Sequence, residues 1–161
     1  MSSNIRSIVD YTAAKAAGIQ GIVLPNGETV GVRSIYGAGQ GIYDDPLRPG
    51  QTIQPAPESA TEPLMHVSRL PDAPTIEWIS QTGTVELTWT IQMSLFIARG
   101  DAATAAQVVL PFYDAYLAAF TADPMLGGLC MVSRISSFKT GTDESWCWLD
   151  VDLEVLEQVS Y

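Results

Sequence analysis

Reactive side chains are scarce in this sequence. His66 is the single histidine of 161 residues, and the two cysteines, Cys130 and Cys147, match no metal-ligand spacing. Catalytic triads and metal centres need several convergent groups, so an isolated histidine reads as a structural or surface residue. No Gly-x-Ser-x-Gly elbow, His-Glu-x-x-His pair or phosphate loop is present. The segment "GAGQG" (Gly37–Gly41) lacks the third glycine at the right spacing, the following helix and the acid at the end of a second strand of a dinucleotide-binding turn. The acidic pairs Asp44-Asp45 and Asp143-Glu144 lack the alternating oxygens of a calcium loop. The sequence therefore predicts no enzyme, no cofactor and no metal. It also predicts reduced, buried thiols at Cys130 and Cys147 rather than a disulfide.

Positive charge is equally sparse. Eight basic residues face 18 acidic ones, for a net charge of −10, and the eight are scattered singly from Arg6 to Lys139. Proteins that grip nucleic acid need clustered cations to displace counterions from phosphates, so this class is excluded. Long apolar runs are missing too. None approaches the roughly 20 residues of a membrane span, and "MSSNIRSIVDYTAAKAAG" has no apolar core of a secretory leader. No membrane association is expected, and synthesis in the cytoplasm is.

What the sequence does have is alternation. In "GTVELTWTIQMSLFIARGDAAT", Val85, Leu87, Trp89, Ile91, Met93, Leu95 and Ile97 fall on every second position, with Glu86, Thr88, Thr90, Gln92 and Ser94 between them. The pattern predicts a long strand over Thr84–Ala98 with one covered face and one polar face open to solvent or another subunit. Two more strands follow from "LCMVSRI" and from Cys147 to Leu156. In the last, Asp150, Asp152 and Glu154 share one face, open to two readings: a solvated face, or a surface that repels an anionic partner.

Helical periodicity brackets these strands. Ile5, Ile8, Val9, Thr12 and Ala16 share one face, which predicts a helix from Ser3 to Ala17, capped by Ser2 or Ser3 and closed by Gly18. Ala105, Val109, Phe112, Tyr116 and Phe120 predict a main helix over Ala102–Ala122, capped by Asp101 and bent or split at Pro111. Pro25-Asn26-Gly27 predicts a turn between strands Ile22–Leu24 and Thr29–Ile35, and a short strand is expected on each side of Pro71-Asp72-Ala73-Pro74. Tyr36–Pro63 carries four prolines before Pro63 and four glycines, which excludes a long regular element. Its Tyr36, Ile42, Tyr43, Leu47 and Ile53 suggest a loop that orders against a partner. The sum is a single α+β domain: a mostly antiparallel sheet with an N-terminal helix and a main Pro-containing helix packed on one face. Trp89 belongs to its core, and Trp148, which shares its parity with the acids, to an interface.

The run "MSLFIARGDAATAAQVVLPFYDAYLAAFTADPMLGGLCMVSRISSF", followed by "CWLDVDLEVL", resembles the tail terminator proteins of long-tailed bacteriophages, also called minor tail or tail completion proteins. The likeness rests on the strand running into Gly100-Asp101, the "PFYDAYLAAF" helix and the "DPMLGG" turn feeding a strand, over about Thr84–Val155. It implies a structural virion protein that caps the tail tube as a hexameric ring, ends tube growth and forms the surface joining head to tail. The implied partners are other copies of the chain, the tail tube protein and a head–tail connector or stopper, with DNA passing through unbound. In such a ring Tyr36, Ile42, Tyr43, Leu47, Ile53 and Trp148 would meet partners, and Asp150, Asp152 and Glu154 would line an acidic lumen. Another neck component, such as a head-side stopper, and a small-ligand-binding α+β domain are the competing readings.

Overall fold

The computed structural model describes residues 2–25, 27–37, 64–79, 81, 83–98, 105–142 and 146–161. Helix α1 (Ile5–Ala17) is followed by the hairpin β1 (Ile22–Val23) and β2 (Thr29–Val30). Strands β3 (Ser34–Tyr36), β4 (Leu64–Ser68), β5 (Thr75–Trp78) and β6 (Thr84–Ala98) come next. Helix α2 (Ala105–Thr121), strand β7 (Val132–Thr142) and strand β8 (Trp146–Ser160) complete the order.

The main sheet runs β3-β4-β6-β8-β7, and β5 pairs with β6. All of its pairings are antiparallel except β3 with β4. The α+β fold expected from periodicity is the observed one. The predicted second arm of the hairpin, Thr29–Ile35, divides: β2 stays with β1, while β3 leaves to pair with β4. Strands β4 and β5 lie end to end along the same edge of β6, with the Pro71–Pro74 segment between them. Two prolines cannot donate to a ladder, which breaks the edge there.

Strands β6 and β8 pair along their whole fifteen-residue lengths, from Thr84 opposite Ser160 to Ala98 opposite Trp146. Side chains alternate across a sheet, so this register aligns the two apolar rows. Val85, Leu87, Trp89, Ile91, Met93, Leu95 and Ile97 meet Val159, Glu157, Val155, Leu153, Val151, Leu149 and Cys147, and every one is buried. Ile8, Val9, Thr12, Ala13 and Ala16 of α1 and Val109, Phe112, Tyr116 and Phe120 of α2 are buried with them. Helix α2 runs unbroken through Pro111. Packing of this apolar face keeps one helix where the sequence allowed a split; the proline only deprives the Gln107 carbonyl of its usual donor.

The expectation of a wholly polar second face on β6 is corrected. Ser94 and Phe96 are buried as fully as Met93, Leu95 and Ile97, and their β4 neighbours Val67 and Met65 are buried too. The sheet is therefore covered on both faces at the C-terminal end of β6, as the continuous apolar run Leu95–Ile97 would suit. Cys130 and Cys147 are buried and free.

Helix α1 starts two residues later than its sequence suggested, with Asn4 at the cap position and no cap from its own side chain. The capping groups come from elsewhere. Ser3 Oγ accepts the Ile5 N–H, and Glu157 Oε1, in β8, accepts the Asn4 N–H at 2.8 Å. Glu157 Oε2 also accepts from Ser3 Oγ and from Trp89 Nε1. Only 3% of this glutamate is exposed. Three donors and the positive end of a helix make an ion tolerable where an unpartnered one would not be. Replacing Glu157 by Ala strands two of those donors inside the protein. Urea unfolding should show a loss of about 3 kcal/mol, in the range for a buried charged hydrogen-bonding group, and loss of protection from hydrogen exchange should begin in the first turns of α1.

Candidate interaction surfaces

His66 sits on β4 opposite Leu95, which turns its ring into the core between the helices. His66, Ser68, Thr12 and Tyr116 are all 0% exposed. His66 Nδ1 lies 2.6 Å from the Tyr116 hydroxyl, and Nε2 lies 2.7 Å from Ser68 Oγ. Ser68 Oγ lies 2.8 Å from Thr12 Oγ1, which is 2.7 Å from the Val9 carbonyl oxygen. Four such contacts between electronegative atoms need four hydrogens, and the side chains own one each. The Val9 carbonyl can only accept, so the direction is fixed. Thr12 donates to Val9, Ser68 to Thr12, His66 Nε2–H to Ser68, and the Tyr116 hydroxyl to Nδ1. The chain ties α2 to β4 and β4 to α1 with no buried hydroxyl left over.

Burial without any counter-charge lowers the His66 pKa to about 3 and raises that of Tyr116. The histidine is held neutral by the same apolar packing that hides it, and its nitrogens have no access to a substrate. The sole histidine is thus a tether between layers, in line with the structural reading of an isolated histidine.

A second tie holds α1 from outside. Asp123, just beyond α2, accepts from the Tyr11 hydroxyl at 2.7 Å and pairs with Lys15 at 3.3 Å. The Tyr11 bond and the Gly127 amide hold the Asp123 carboxyl below its usual range, and the same hydrogen bond to Asp123 pushes Tyr11 up. Gly127 has φ +66°, and a Cβ there would stand 2.9 Å from the Tyr11 ring, so backbone and packing both require glycine.

On the opposite face of the sheet, Asp150, Asp152 and Glu154 form the row expected from alternation. Each has a partner. Asp150 accepts from Ser94 Oγ at 2.6 Å, Asp152 from Ser137 Oγ at 2.7 Å, and Glu154 from Arg134 Nε at 2.9 Å. Arg69, 7% exposed, donates through Nη1 to Gln92 Oε1, and its pKa is lowered by burial although Asp150 opposes the shift. The acids therefore line the face as neighbours of hydroxyls and guanidinium groups, and their mutual repulsion is diluted. Near the β5 end, by contrast, Glu77 lies directly opposite Glu86.

Trp148 is half-buried on this same face, opposite Phe96, with its ring lying over Gly141. Any side chain at 141 would displace that ring. Tyr36 lies in β3, outside the loop assigned to it from sequence. Ile42, Tyr43, Leu47 and Ile53 lie outside the described residues. The structure thus brings Trp148 and the three acids to one face.

Two apolar surfaces were missed by sequence reasoning. On β5, Ile76 and Trp78 are 58% and 69% exposed although they continue the helix-side rows of Leu87 and Val85. On α2, Leu110, Tyr113 and Leu117 form an exposed stripe behind the buried one. The signal was present: "QVVLPFYDAYLAAF" holds one charged residue, and a helix apolar on all sides is normally covered on all sides.

Among the described residues no group of three or more His, Cys, Asp or Glu side chains could hold a metal, and no helix is long and apolar enough to cross a membrane. No protein-family model and no curated protein matches the chain.

Burial of neutral His66 couples stability to acid. The unfolded chain binds a proton near the ordinary histidine pKa of about 6.5, and the folded chain only near 3. This contribution is complete above that range and is lost as pH falls from 6.5 toward 3, by about 1.4 kcal/mol per pH unit. Urea midpoints measured across that window should fall. His66→Leu should lower stability at neutral pH by about 2–4 kcal/mol, because Ser68 and Tyr116 lose their partner, and should flatten the pH slope.

Proposed function

We propose that the protein is a structural component of a bacteriophage tail, a tail terminator that caps the tail tube as a hexameric ring and presents the surface to which the head is joined. The observation that carries this reading is the long three-stranded sheet β6-β8-β7, with both helices on one face and carboxylates along the other. It agrees with the architecture implied by the resemblance over Thr84–Val155. A ring of such sheets with the helices outward has a lumen lined by Asp150, Asp152, Glu154 and Glu86. Fixed negative charge in a confined channel keeps DNA from adhering during passage. Partners on β6 and β7 hold three of those carboxylates in place while leaving the row short of cations, which suits a passage better than a grip. A virion is the corresponding location, with assembly on tail tubes in the host.

Size exclusion with light scattering should give a mass six times that of the chain, and negative-stain images should show a ring with an axial hole. Purified tail tubes mixed with the protein should carry it at one end only. A closed two-fold dimer at every concentration, with no tube binding, would sink the reading in favour of a free-standing binding domain.

A further inference from the structure

We infer that β5 of one copy docks against the edge formed by β7 and α2 of the next copy, joining the chain to itself head to tail. The two edges of the sheet carry matching features in the same two layers. In the helix layer, β5 exposes Ile76 and Trp78, and the far edge exposes Leu110, Tyr113 and Leu117 of α2. The Tyr113 ring stands 4.2 Å from Phe138 of β7, so the stripe is anchored to that edge strand. The inner stripe of α2 already fills the core, while the outer one, apart from the Tyr113–Phe138 contact, is left open among the described residues. In the opposite layer, β5 presents Glu77 beside Glu86, a like-charge pair that disfavours the isolated sheet. The far edge presents Arg134 and Lys139; both are exposed, and Lys139 has no ion pair among the described residues. Apolar meets apolar and acid meets base when one edge is laid on the other. Because the two patches differ, the contact is heterologous, the kind that closes into rings.

Strand direction and offset agree. Strand β5 runs against β6, β6 against β8, and β8 against β7, so β5 and β7 run in opposite directions and would meet antiparallel. Glu77 is level with Gln158 of β8, whereas Arg134 and Lys139 are level with Glu154 and Asp150. At 3.3 Å per residue those levels are about 13 and 26 Å further along the sheet. Closing a ring of tilted strands supplies such an offset. Four strand spacings at a tilt of about 35–45° shift each neighbour by about 13–19 Å. The direction follows from the β6–α2–β7 crossover, which joins parallel strands and is right-handed by rule. With the helices outside, right-handed tilt moves the neighbour's β5 toward the Lys139 end of β7. Glu77 then falls between Arg134 and Lys139. The start of β7 is occupied, since the Pro124 carbonyl accepts the Ser133 N–H, so the open edge begins where the offset places β5.

The offset rests on the ring reading, and the test separates the two. Glu77→Arg and Trp78→Ala, both at exposed positions, should keep the circular dichroism spectrum and melting of the parent. Each should weaken association at least tenfold in light scattering. Adding Arg134→Glu to Glu77→Arg should restore the assembly. Glu77→Cys mixed with Arg134→Cys should be cross-linked between copies by a short bis-maleimide. An unchanged ring in the single variants, with no cross-link, would overturn this docking while leaving a ring built on other surfaces. Charge rescue together with the cross-link, in rings that never cap a tube, would uphold the docking and overturn the terminator reading. A chain that stays monomeric at all concentrations and does not cross-link would overturn both.

Discussion

The fifteen-residue pairing of β6 with β8 is the constraint on which the rest of the molecule depends. Its register puts one apolar row from each strand on the same side, and that side alone offers enough covered surface for two helices. A slip of one residue in β8 would turn Asp150 and Asp152 into the core and Leu149 and Val151 out of it. Everything else reads from this ladder: where α2 lies, which way His66 points, and which face carries acid.

Hydrophobic burial by itself is indifferent to how a helix is rotated or slid along a sheet. Polar contacts supply the specificity. Helix α1 is fixed at its start by Glu157, at its middle by Thr12 in the histidine chain, and at its outer side by Tyr11 and Lys15 on Asp123. The first two are buried, so a misplaced helix would leave donors without acceptors in an apolar medium. Each tie joins a different element to α1, and together they allow one position only.

The elements were legible because their periods are clean. The bounds of the strand Thr84–Ala98 were readable to the residue, and its period of two holds until the apolar run Leu95–Ile97. Of the positions chosen by spacing, Ile8, Val9, Thr12 and Ala16 of α1 and Val109, Phe112, Tyr116 and Phe120 of α2 are buried, Ile5 is only half-buried, and the pairing of β1 with β2 was marked by the turn chemistry between them. Less legible was anything that depends on two distant segments meeting. Nothing near Glu157 in the sequence says that it caps a helix 153 residues away. Likewise His66 gives no local hint of Thr12 or Tyr116. The acidic row was correctly placed on one face, but its partners Ser94, Ser137 and Arg134 come from neighbouring strands and could only be found through the register. Exposure of β5 is a property of what fails to cover it, and periodicity carries no information about that.

The link between Ser3, Asn4 and Glu157 also has a bearing on the order of events at the ribosome. Helix α1 is made well before its anchoring carboxylate, which follows the helix cap by 153 residues. Until β8 emerges, the helix lacks both its cap and the centre of the sheet it packs on, so its early turns have little to hold them. The domain therefore cannot fold in the order of its synthesis, and its folding is slowed because so many contacts are non-local. The exposed apolar surfaces of β5 and α2 then take shape only when the whole domain does, so neither is presented in its final form by a partly made chain.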